Sequence, residues 1–112
     1  MRFEILAGEV VIGWSELEHG DPPMGVAHGK LNVTSAYGST PPDARLRARP
    51  AGEPFFEPIG GVHIDDFRAD LGPDEIEVSV LGLDHEIYVR YFAHHVQAYD
   101  QYWAARRTDS ES

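Results

Sequence analysis

The strongest constraint on this chain is an alternation late in its sequence. Ile76, Val78 and Val80 alternate with Glu75, Glu77 and Ser79. After Gly82-Leu83-Asp84, Ile87, Val89 and Tyr91 alternate with Glu86, Tyr88 and Arg90. A period of two puts every second side chain on one face, as a half-buried strand requires. The spacing predicts a hairpin over 75–91, and with it an antiparallel sheet.

The period then changes. Val96, Tyr99 and Trp103 fall at i, i+3 and i+7, with Phe92 four residues before Val96. That is one face of a helix over 93–107, expected to pack on the sheet. Arg106 and Arg107 stand at its C-terminal end, where cations complement the helix dipole.

Earlier segments repeat the extended theme. Phe3, Ile5 and Ala7 alternate with Glu4 and Leu6, and Val10-Val11-Ile12 follows a Gly8-Glu9 turn. Residues 2–14 therefore read as a hairpin. Ser15-Glu16-Leu17-Glu18 fits a capping box, but Gly20-Asp21-Pro22-Pro23 leaves room for one helical turn at most. Met24–Thr34 is again extended, with Gly25 and Gly29 as bulges or points of close approach. Thr40-Pro41-Pro42-Asp43 is placed to cap a short helix. Ala44, Leu46 and Ala48 alternate with Arg45, Arg47 and Arg49, which favours an edge strand or irregular segment. Pro50–Gly61 reads as a loop anchored by Phe55-Phe56, and Val62–Asp65 as a short strand.

These elements give an α+β fold, mostly antiparallel, with five to six strands and one C-terminal helix. A chain of 112 residues fits a single domain, expected over 1–105 with a polar tail at 106–112. With no cysteine, the chain has no disulfides and no thiolate chemistry. The N-terminus lacks a signal-peptide core, and no window approaches the ~18 apolar residues of a membrane helix. A cytoplasmic location is the expectation, with no membrane partner.

Charge narrows the partners. The net charge is −10, and residues 61–112 alone hold eleven acids against four bases. Phosphate backbones repel such a chain, so nucleic acid is not an expected partner. A basic protein is, because an acidic face speeds encounter with one.

Most catalytic signatures are missing. There is no glycine-rich phosphate loop and no His-Glu-x-x-His. Gly13-Trp14-Ser15-Glu16-Leu17 falls one residue short of a nucleophile elbow. The residues left with chemistry form three groups. His63, Asp65 and His85 offer two imidazoles and a carboxylate, a plausible first-row metal set. The turn Trp14–Gly25 concentrates Trp14, Glu16, Glu18, His19, Asp21 and Met24, and its Pro-Pro-Met-Gly run suggests a rigid contact surface. Asp65, Asp66, Glu75 and Glu77 extend the acidic face. His94-His95 should split, one packing and one facing water, because neighbours on a helix point about 100° apart.

Trp14-Ser15-Glu16-Leu17-Glu18-His19-Gly20-Asp21-Pro22-Pro23-Met24-Gly25-Val26-Ala27-His28-Gly29 resembles a signature of small uncharacterised bacterial proteins. Some of these also end in a segment like Phe92-Ala93-His94-His95-Val96-Gln97-Ala98-Tyr99. The resemblance implies a bacterial origin and carries over no catalytic residue.

The leading expectation is a non-catalytic protein-interaction module, immunity-type or regulatory, that binds a basic partner without a cofactor. One alternative is a small metal-binding protein or metal-dependent hydrolase using His63, Asp65 and His85. Another is a small-molecule binder with a pocket of Trp14, Phe55, Phe56, Tyr99 and Trp103. Exposed β-edges also allow a homodimer.

Overall fold

The computed structural model describes residues 1–106 in full and the helical backbone on to Glu111. Of the tail expected over 106–112, the side chains beyond Arg106 and all of Ser112 lie outside the described residues. The fold is α+β, with two antiparallel sheets of four strands and one long C-terminal helix. Among the described residues eight strands form, more than the five to six expected, because two of them, at 19–21 and 32–33, are too short to show a period.

The first sheet has the order β5-β2-β1-β6, from β1 (Phe3–Ala7), β2 (Val10–Ser15), β5 (Asn32–Val33) and β6 (Leu46–Pro50). The second has the order β3-β4-β8-β7, from β3 (His19–Asp21), β4 (Val26–Lys30), β7 (Gly61–Asp66) and β8 (Ile76–Leu81). Four of these strands form one bent ribbon. β2 pairs with β5 at Trp14↔Asn32, and β3 pairs with β4 at His19↔His28. The ribbon thus passes from one sheet to the other at Leu17 and Leu31, both buried.

The bend explains why the capping box does not form. No helix occupies 15–18. Ser15 Oγ accepts from the Leu17 amide at 3.0 Å, a turn two residues long. Glu18 turns outward across the ribbon, and its carboxylate accepts from the Lys30 amide at 2.8 Å. Leu17 takes φ 45°, the left-handed region that costs a residue with a Cβ about 1–2 kcal/mol. Complete burial of its side chain offsets that cost.

The predicted hairpin over 75–91 is half right. β8 forms, but its partners are β4 and β7. Residues 86–91 belong instead to α2 (His85–Glu111). A strand there would have put Tyr88 on the same side as Glu86 and Arg90. The helix takes Tyr88, Phe92 and His95 inside together, at i, i+4 and i+7. Tyr88 N–H donates to the Asp84 carbonyl in the first turn. Phe92 has non-helical dihedrals (φ −128°, ψ 32°), so the helix breaks next to the predicted start at Ala93.

The buried stripe also differs from the one expected. Val96 and Tyr99 are half-buried, and Trp103 is 44% exposed. The reason is length. Strands of six residues span about 20 Å, whereas 27 helical residues span about 40 Å. The far half of α2 runs beyond the sheets.

No helix capping develops at Thr40; a 3₁₀ turn covers Tyr37–Ser39 instead. The arginine alternation does give an edge strand, β6. Arg47 and Arg49 both lie over the Phe55 ring, while Phe56 enters the core beside Phe3 and Tyr91. The turn expected over 70–74 is preceded by one helical turn, α1 (Arg68–Leu71).

Candidate functional site

The proline-rich turn builds one wall of a cleft. After β3, Pro22–Met24 form a 3₁₀ turn, closed by Gly25 at φ 64° with its N–H bonded to the Pro22 carbonyl. Leu83 N–H then donates to the Gly25 carbonyl at 2.9 Å, tying the turn to the link between β8 and α2. Across from this wall stand Val96, Tyr99 and Asp100 of α2, with Ile59 at one end. The cleft is open to solvent and has a volume of about 450 Å³, within the usual range for ligand and anchor sites. Met24 is 67% exposed and Ile59 97% exposed, an unusual position for large apolar side chains. Asp100 and His85 line the cleft, Asp21 and Asp84 adjoin its lining in sequence, and among the described residues no Lys or Arg contributes to it.

The back of the cleft is Tyr88. Its hydroxyl donates to the Val26 carbonyl at 2.9 Å. Burial, with the charge of Asp21 adding to it, pushes the phenol up to about 12. Tyr88 is therefore a neutral structural donor across the physiological range.

A second cluster lies at the opposite end of the β3-β4-β8-β7 sheet. Glu18, His19, Asp74, Glu75 and Glu77 surround a small recess of about 190 Å³ with His28. The His28 ring bonds the Glu77 carboxylate through Nδ1 at 2.7 Å, and the His19 ring sits 5.4 Å from it. Glu77 also faces Asp65 directly across β7, and Lys30 across β4. Like charges opposite one another weaken a sheet, so Lys30 and His28 are what tolerate this row. Asp66 is engaged elsewhere. Arg68 bonds it at 2.7 Å and Tyr37 at 3.1 Å, and chiefly the Arg68 hydrogen bonds hold its carboxyl down at about 2.

The other sequence candidates scatter. Trp14 lies under the Arg2 guanidinium, 3.9 Å from its ring centre. Glu16 is exposed on the ribbon. His63 bonds the Gly60 carbonyl, Asp65 follows on the same strand, and His85 lies beside the apolar cleft. Among the described residues no three His, Asp or Glu side chains stand close enough to hold a metal. The aromatic pocket does not assemble either. Phe55 and Phe56 line one cleft, Tyr99 another, and Trp103 projects from the exposed helix.

His94 and His95 do separate. His94 is exposed, while His95 is buried with its Nε2 2.8 Å from the Leu17 carbonyl. Its ring lies flat against Phe92, at 5.4 Å and 5°. His95 thus holds the strained corner of the ribbon. Burial lowers its proton affinity, the Leu17 bond acts the other way, and His94, His19 and His28 lower it further. The unfolded chain then takes this proton more readily than the folded one. Stability should fall as pH drops below about 6.5, the free-histidine value, and level off below the folded-state value. Urea unfolding at neutral and mildly acidic pH measures this, and His95→Gln should flatten the slope. An unchanged slope in the variant would assign the effect to other groups.

Sequence reasoning missed Ile59, Tyr88 and Asp100 as parts of the cleft. Only the helical register over 85–100 would have pointed to the last two, and Ile59 sits in a loop without pattern. No helix among the described residues is long and apolar enough to cross a membrane. Neither family models nor curated proteins nor solved structures offer a match to this chain.

Proposed function

We propose that this chain is a non-catalytic interaction module that docks a basic protein partner. The observation that carries the reading is the cleft between the Pro22–Met24 turn and α2. It is apolar along Met24, Ile59, Val96 and Tyr99, Asp100 is the carboxylate in its lining, and no described Lys or Arg joins it. Tight interfaces put an apolar anchor in a pocket and surround it with matched polar groups. The matching ligand is an apolar side chain flanked by Lys or Arg. A regulatory or immunity-type protein, which covers a basic surface on its target, is the concrete form of this role. The acidic recess at the far end of the sheet adds long-range attraction without a pocket for an anchor.

The test is titration with a short peptide carrying one central leucine flanked by arginines. Binding should weaken about tenfold, the effect of 1.4 kcal/mol, in Met24→Ala and Asp100→Lys. Both positions are exposed, so folding is unaffected. Asp74→Lys and Glu75→Lys at the recess should change it far less. If the recess variants abolish binding while the cleft variants leave it intact, the reading fails.

A further inference from the structure

We infer that the cleft also accepts a second copy of this chain, through the overhanging half of α2. The inference rests on the reading above, that the cleft takes an apolar anchor flanked by cations. The helix itself carries such a ligand. Its stripe runs Phe92, Val96, Tyr99, Trp103, Arg106, at steps of three and four residues. Phe92 is fully buried, Val96 and Tyr99 face the cleft, and the stripe then leaves the body of the protein. Trp103 remains 44% exposed and Tyr102 54% exposed, their rings 5.5 Å apart. Arg106 lies one turn further, with its guanidinium over Tyr102.

A helix cannot fold back on itself within two turns, so Trp103 and Arg106 cannot enter the cleft that Val96 and Tyr99 of their own chain line. It can reach that of another. Trp103 supplies the anchor, and Arg106 supplies a cation for the rim of Asp21, Asp84 and Asp100. Because stripe and cleft share one helix, two copies related by a two-fold axis through their antiparallel helices satisfy both contacts at once. Such a contact is isologous and closes at the dimer. The net charge of −10 opposes pairing, so the dimer should depend on concentration. Pairing also covers the cleft, and a basic partner would have to displace the second copy.

Sedimentation velocity on the full chain over a concentration series tests this. The wild type should shift from monomer to dimer, with the tryptophan emission moving to shorter wavelength. Trp103→Ala should remain monomeric. Arg106→Glu should weaken pairing, and combining it with Asp100→Arg should restore it. A wild-type monomer at every concentration overturns the inference, as does a dimer that Trp103→Ala leaves intact. A peptide of residues 97–107, titrated into the Trp103→Ala chain, separates the two readings. If the chain is monomeric and the peptide still binds, pairing is wrong and the cleft reading stands. If it is monomeric and the peptide does not bind, both fall.

Discussion

Replacing Phe92 by alanine should cost about 3–5 kcal/mol of stability, the usual range for deleting a buried aromatic ring. The position is extreme even for a core residue. Its ring lies between Phe3, at 5.1 Å, and His95, at 5.4 Å, with Tyr88 5.3 Å away. These neighbours come from the first strand and from both sides of the helix break, so no single element can close the cavity. The cost should therefore fall toward the upper end of the range. Val89→Ala is the matched comparison, since Val89 is on the same helix and exposed. It should change stability by about 0.5 kcal/mol or less. Denaturant unfolding of both variants gives the difference directly. Equal costs would mean that the buried stripe had been misplaced.

That pair of positions also shows where the sequence misleads. Ile87, Val89 and Tyr91 alternate as strand residues do, and over five residues strand and helix patterns overlap. Tyr88, Phe92 and His95 carry the helical pattern, but a histidine in a stripe of aromatics gives no hydrophobic signal. The helix was readable only from Ala93, where Val96, Tyr99 and Trp103 follow without a competing alternation. Those residues form a stripe whose far end stays largely exposed among the described residues.

The strands were legible where they lie wholly in one sheet. β8 alternates cleanly, β1 and β7 do so over part of their length, β2 shows as a β-branched run, and β6 shows itself through its arginines. The bent ribbon was not. β3 is three exposed residues, His19–Asp21, and β5 is two. Neither is long enough to show a period. The Pro22–Met24 turn was recognisable as a contact surface because prolines fix its backbone. Its partner across the cleft was not, because α2 reaches it from more than seventy residues away in sequence. Residues 18–19 and 74–77 likewise share an acidic end only through the β3-β4-β8-β7 pairing. A single sequence contains the charges but not the strand order that gathers them.

The cleft itself depends on one glycine, and this gives the second large effect. Gly25 holds φ 64°, and a Cβ there would stand 2.6 Å from the Leu83 carbonyl oxygen and 3.0 Å from its nitrogen. Both obstacles are backbone, so no side-chain rotation relieves them. The left-handed conformation adds about 1–2 kcal/mol for a non-glycine residue, and the overlap about 1–3. Gly25→Ala should thus lose about 2–5 kcal/mol in all. Gly8→Ala separates the two contributions. Gly8 has φ 62°, nearly the same, but nothing within 4 Å of an added Cβ. It should lose only the conformational part, about 1–2 kcal/mol. The difference between the variants measures the strain that Gly25→Ala puts on the Leu83 link. Relief of that strain must part the Pro22–Met24 turn from Leu83, because the Gly25–Leu83 hydrogen bond joins them. Gly25→Ala should therefore also weaken binding of the arginine-flanked leucine peptide where the variant is still fully folded, while Gly8→Ala leaves it unchanged. Equal peptide affinity in the two variants would place the anchor site somewhere other than this cleft.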